Sequence, residues 1–219
     1  MQLLNSNVGR KILMAITGQL MVLFVIVHLL GNSSIFIGPD GINSYAEHLH
    51  SLGPLVWVFR LAMLTFLLVH VIYGIQVTLE NNAANPSKYA VNRKLKAGFA
   101  SENMIWTGLL MAAFIVYHLL QFTIRATPDV AAFVGQIPGN VFGMVTASFS
   151  HGIIVFIYVA AMVALFLHLS HGIQSFFQTM GWNNERSLPV ISMVGKVIAV
   201  VFLVGYSSIP VFILAGILK

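Results

Sequence analysis

Five apolar runs dominate this chain, at roughly 12–37, 54–79, 103–124, 148–176 and 188–218. Each is long enough to cross a hydrocarbon core of ~30 Å, which takes ~20 helical residues. None alternates polar with apolar residues as a strand does. A backbone exposed to lipid must also satisfy its hydrogen bonds internally, so helices are expected. Composition points the same way. Of 219 residues, 58% are hydrophobic and 8% charged, whereas soluble domains carry about 25% charged residues. The expected fold is all-α, a five-helix transmembrane bundle in a single domain, residues 1–219, with Pro210 kinking the fifth helix. The first run follows Arg10 and Lys11 as a signal peptide would. It exceeds the ~7–15-residue apolar core of such a segment, and no small-x-small site follows, so it reads as a retained helix.

Lysine and arginine in the loops orient the bundle. Arg10 and Lys11, the second-loop residues Lys88, Arg93, Lys94 and Lys96, and Arg186 fall on one side. Arg125, Lys219 and the acids Asp40, Glu47 and Asp129 fall on the other. This bias predicts a cytoplasmic N-terminus and an outer C-terminus in a bacterial cytoplasmic membrane. The net charge of +5 is too sparse, and too close to the spans, for nucleic-acid binding. No cysteine is present, which excludes disulfides, iron–sulfur ligation and thioether-linked haem in this chain. Eight histidines against six acids are what remains to be explained.

Two repeats organise those histidines. Residues 17–30, TGQLMVLFVIVHLL, return at 107–120 as TGLLMAAFIVYHLL, an offset of 90. Thr17, Met21, Phe24 and His28 share a helical face, as do Thr107, Met111, Phe114 and His118. Residues 67–76, LLVHVIYGIQ, return at 165–174 as LFLHLSHGIQ, an offset of 98. Gly74 and Gly172 lie one turn after His70 and His168, where a missing side chain clears room for something flat beside an imidazole. His168 thus aligns with His70, and His171 with Tyr73. Internal repeats also occur in transporters, but those carry broken helices and midplane carboxylates, and no Asp or Glu sits deep in a span here.

Four spans therefore carry one aligned histidine each, and ionisable groups inside a bilayer are costly. His28 lies 17 residues past Lys11, and His118 lies 16 past Glu102. His70 lies 10 residues before Glu80, and His168 lies 10 before Gln178. At 1.5 Å per residue the first two sit roughly 10 Å further from the cytoplasm. Equal depth pairs His28 with His118, and His70 with His168. Two facing imidazoles can hold one iron from opposite sides, and a haem fits between bundle helices. Two pairs would stack two haems b along the membrane normal, with neutral imidazole as the binding form and backbone carbonyls one turn away holding the other ring nitrogen. A lone intramembrane histidine more often bonds a neighbouring helix; four, repeated in two motifs at paired depths, call for another account. Tetrahedral zinc would gather its ligands at one depth. Thr17, Gly18, Thr107 and Gly108 read as helix-packing residues. His48 and His50, beside Glu47 in the first outer loop, read as solvated polarity or, more sharply, as a site exchanging protons with a reducible headgroup. His151 falls near the outer end of helix four, and His171 at a haem edge or the interface.

Taken together, T-G…H-L-L in helix one, H-x-x-x-G in helix two, W-T-G…Y-H in helix three and F-L-H-L-S-H-G in helix four resemble the dihaem cytochrome b membrane anchor of succinate dehydrogenase and fumarate reductase. Helix five matches only as a hydrophobic span. The resemblance implies partners on the cytoplasmic face: a flavoprotein subunit with covalent FAD, and an iron–sulfur subunit for which the basic loop Lys88, Arg93, Lys94 and Lys96 could be the docking surface. It implies electron passage to or from a membrane quinone, often menaquinone, and allows a dimer of complexes. By the same resemblance His70 and His168 would ligate the haem nearer the soluble subunits, and His28 and His118 the distal one. The quinone site would lie near the distal haem, in the region of Glu47, His48 and His50. Some relatives carry Asn where His171 stands, which leaves a competing imidazole one turn from His168. Two other readings stay open at this point: a dihaem cytochrome b anchoring a hydrogenase or formate dehydrogenase, whose usual histidine pattern differs, and a cofactor-free transporter or scaffold.

Overall fold

Ser6 opens the first helix by accepting a hydrogen bond from the Gly9 amide, relieving one of the unpaired N–H groups of a helix start. From there α1 (Asn7–Asn32) runs into a 3-10 turn over Ser33–Ile37. α2 (Pro39–Ser51) is short, and α3 (Pro54–Ala84) is the longest helix. After α4 (Phe99–Glu102), α5 (Met104–His118) continues as a π-helical turn over Leu119–Thr123. α6 (Pro128–Val134) and α7 (Val141–Phe149) are short and lead into α8 (Gly152–Thr179), which is followed by α9 (Ser187–Leu214). The computed structural model describes residues 6–84, 98–134 and 139–219; the basic loop Lys88, Arg93, Lys94 and Lys96 lies outside them. No strand occurs among the described residues.

Five stretches are long and apolar enough to cross a membrane: Asn7–Ile37, Pro54–Ala84, Met104–Phe133, Gly152–Thr179 and Ser187–Leu214. The protein is a multi-pass, all-α membrane protein. α8 is the most buried of the five and packs along α9, α5 and α1, whereas α3 leans on α1 and buries only Val77. Large apolar residues such as Leu23, Val27, Leu61, Phe156 and Val204 face outward, as a lipid-facing surface requires. Two interior clusters hold the bundle. Ile35, Ile42, Phe142, Phe149, Tyr158 and Ile209 meet at one end. Val22, Leu29, Leu169, Ile173, Ala199 and Phe202 meet further along.

The structure refines the expected boundaries. The run from 148 to 176 is two elements, because Ser150 and His151 break the apolar stretch and His151 is extended (φ −92°, ψ 112°). The first outer loop is mostly helix, with Ile42 as its buried anchor. α9 continues through Pro210 to Leu214. Besides Arg10 and Lys11 in α1, two further cations lie inside helices and enlarge the charge inventory: Arg60 in α3, stacked over Trp57 at 5.1 Å, and Lys196 in α9.

Candidate functional site

α1 and α5 are repeat mates, and each presents its glycine face to a histidine of the next long helix. A Cβ added to Gly18 would lie 2.8 Å from His70 Cε1, and one added to Gly108 would lie 3.2 Å from His168 Cε1. Only a residue without a side chain lets the helix backbone support an imidazole this closely. The Thr-Gly pairs are thus the supports of the lower histidines. Gly74 and Gly172 face the mated methionines Met14 and Met104, whose nearest atoms would be 3.7 and 4.0 Å from an added Cβ. Their open faces therefore abut flexible thioethers.

At this lower level the His70 and His168 rings face each other, with centroids 6.1 Å apart and planes inclined at 68°. Ten residues further along α1 and α5, the His28 and His118 rings lie 6.0 Å apart at 89°. Ten helical residues correspond to roughly 15 Å of rise, somewhat more than the spacing counted from the helix ends. The remaining ring nitrogens are held in place. His70 Nδ1 donates to the Met14 carbonyl at 2.8 Å. The Thr107 hydroxyl donates to the Asn103 and Met104 carbonyls at 3.0 and 3.1 Å, so its oxygen accepts from His168 Nδ1 at 3.2 Å. His118 Nδ1 donates to the Tyr158 oxygen at 3.0 Å. In all three imidazoles the proton sits on Nδ1, leaving the Nε2 lone pair for a metal. The backbone acceptor for His70 comes from the neighbouring helix, not from one turn away on its own.

This geometry fits haem. Two metal–imidazole bonds of about 2 Å, each extended by the inner radius of a ring, set facing centroids roughly 6 Å apart. No group of three or more His, Cys, Asp or Glu that could hold a metal gathers among the described residues; the donor set comes in twos. Phe24 stacks on His28 at 5.1 Å, and Phe114 tilts over His118 at 5.9 Å, so the aromatic stripe of the repeat lines the upper pair.

The family model for the succinate dehydrogenase/fumarate reductase transmembrane subunit matches residues 5–101 and 80–204. The chain belongs to that family. Each matched stretch contains one copy of the repeat, and together they cover all four aligned histidines. As a family member, the chain is a membrane subunit of a succinate dehydrogenase/fumarate reductase complex. No curated protein and no solved structure gives a significant match.

The outer candidates are arranged differently. Glu47, His48 and His50 are exposed on the last turns of α2, and His50 Nδ1 donates to the Ala46 carbonyl of its own helix at 2.7 Å. No hydrogen bond or ring contact joins them to the histidine pairs among the described residues. His171 lies half-buried one turn beyond His168, and His151 is exposed at the start of α8. A second buried polar group was missed by the sequence reading. Gln121 and Ser148 are fully buried (0% exposed). Gln121 Nε2 donates to Asp129 Oδ2 at 2.8 Å and to Ser148 Oγ at 2.7 Å, and Ser148 Oγ donates to the same carboxylate oxygen at 2.7 Å. Tyr158 donates to Gln121 Oε1 at 2.6 Å, which ties this network to His118. A glutamine three residues after the repeat histidine was the available signal.

Proposed function

We propose that this chain is the dihaem, quinone-reactive cytochrome b anchor of its complex. It passes electrons between an iron–sulfur subunit and menaquinone or another membrane quinone, while succinate or fumarate chemistry proceeds on the FAD flavoprotein subunit. The observation that carries this reading is the pair of facing imidazole couples at two depths in a chain of this family. His70 and His168 hold the lower haem b, and His28 and His118 hold the upper one; when bound, the two haems supply one-electron centres stacked through the bilayer. The residues of the chain do the rest. Gly18 and Gly108 support the lower imidazoles, Met14 and Thr107 fix the tautomers of that pair and Tyr158 that of His118, and the surrounding apolar helices keep water away. Eight of the eleven cations lie on the N-terminal side by sequence position, Lys196 included, against Arg60, Arg125 and Lys219. That bias supports a cytoplasmic N-terminus in a bacterial cytoplasmic membrane, with the soluble subunits docked over the basic loop. Quinone exchange belongs to the side of the upper pair, with Glu47, His48 and His50 as candidate proton-exchanging groups on its rim.

The test is reduction by substrate. In membranes holding this chain with its flavoprotein and iron–sulfur subunits, succinate should reduce two b-type haems and a quinone analogue should reoxidise them. Membranes without b-type absorbance would contradict the proposal. Glu47→Gln should slow quinone turnover while leaving the haem content unchanged.

A further inference from the structure

The buried network beside His118 has a direction. Asp129 can only accept, and it takes hydrogen bonds from Gln121 and Ser148 on one oxygen. The Gln121 amide nitrogen is thereby oriented outward, and its carbonyl oxygen inward to accept from Tyr158. The Tyr158 oxygen is left to accept from His118 Nδ1–H. The chain of donors runs from an imidazole to a carboxylate through two groups that polarise one another. The π-helical turn over Leu119–Thr123 starts directly after His118 and contains Gln121; such turns are frequent at functional sites. Arg125, just beyond it, is the one described non-glycine residue with positive φ (61°).

Neither repeat mate of this network exists in the first half of the chain. The position matching Gln121 is Gly31, against which Tyr45 packs so closely that a Cβ there would meet its ring. The position matching Tyr158 is Arg60, which is exposed. The lower histidines end their Nδ1 bonds on a neutral carbonyl and a neutral hydroxyl. Among the described residues, only the bond from His118 leads on to a negative charge.

We propose that Tyr158, Gln121 and Asp129 are positioning residues that draw the His118 Nδ1 proton toward a carboxylate, making His118 the strongest electron donor of the four histidines and biasing the upper haem toward its oxidised form. Hydrogen bonding at the far nitrogen raises the basicity of a metal-bound imidazole, and a more basic ligand stabilises the higher iron charge. The inference rests on the haem reading above.

Redox titration of the b-type absorbance in membranes containing the full-length chain tests it, with three variants. Asp129→Asn keeps the shape at a half-buried rim position, and Tyr158→Phe removes the acceptor. Each should raise the midpoint of one haem and leave the other where it is. A tenfold change in the oxidised-to-reduced ratio at fixed potential, about 59 mV for one electron, is the expected scale for Tyr158→Phe, with a smaller shift for Asp129→Asn. His118→Ala identifies the haem concerned by abolishing it. Two haems persisting in His118→Ala would defeat the haem reading itself. One haem lost in His118→Ala, with unshifted midpoints in both other variants, would defeat the relay alone. Partial loss of the upper haem in Asp129→Asn, with an unchanged midpoint in the remainder, would assign the network a structural role and overturn the proposal.

Discussion

The lower and upper histidine pairs are built from the same two repeats, yet only the lower one keeps the symmetry. His70 rests on Gly18 and bonds Met14, while His168 rests on Gly108 and bonds Thr107, with Met104 as the mate of Met14. At the upper level His28 is surrounded by Phe24 and, at 6.2 Å, Tyr206, whose hydroxyl donates to the Val25 carbonyl. His118 instead meets a polar chain from three other elements. The difference follows from what succeeds each repeated helix. After α1 the chain turns through a 3-10 segment into α2, and Gly31 makes room for Tyr45. After α5 it widens into a π turn and brings Gln121 inward beneath α6 and α7. Duplicated helices can thus hold two chemically equal metal sites and still tune one of them through unequal connections.

Substitutions at the two levels should separate these roles. The largest loss is expected for Gln121→Leu. It leaves the buried Tyr158 hydroxyl without an acceptor and takes one donor from Asp129, at roughly 1–3 kcal/mol for the unsatisfied hydroxyl alone, and should lower the thermal unfolding midpoint in detergent. An unchanged midpoint would mean that the upper network contributes nothing to stability. Gly18→Ala comes next. Its new methyl group meets a His70 ring pinned by Met14, an overpacking cost of about 1–3 kcal/mol, and the lower haem should be partly lost. Gly108→Ala, with a looser approach, should retain more of that haem; the reverse order would break the comparison. Thr107→Val removes one neutral acceptor from His168 for about 1 kcal/mol and should leave the upper haem spectrum untouched. The smallest effect belongs to Arg10→Ala. Arg10 pairs with Glu80 between α1 and α3, and both side chains keep part of their surface exposed; such an ion pair contributes about 0–1 kcal/mol, read as a slight, salt-sensitive drop in unfolding midpoint.

Much of this was legible in the sequence because lipid simplifies it. Apolar runs become spans, and a repeated histidine at a counted depth names its partner. Ring pairing followed from the offsets of 90 and 98, since equal depth leaves only one facing helix for each imidazole. The short helices were not legible in the same way. Residues 141–149 are as apolar as a span, and only Ser150 and His151 show the break. Gln121 was absorbed into the third run, because a single glutamine in an apolar stretch carries no periodic signal and its partners, Asp129, Ser148 and Tyr158, come from three later elements. Nor does sequence distance reveal that Glu47, His48 and His50 point away from the helix bundle. That depends on which face of α2 Ile42 anchors.

Spectra of four single variants test the central claim most directly. Membranes containing His28→Ala and His118→Ala should lose the same b-type component, and those containing His70→Ala and His168→Ala should lose the other, each pair leaving one haem with its own midpoint. Two intact haems in any of the four, or losses that group His28 with His70, would contradict the pairing on which the account stands.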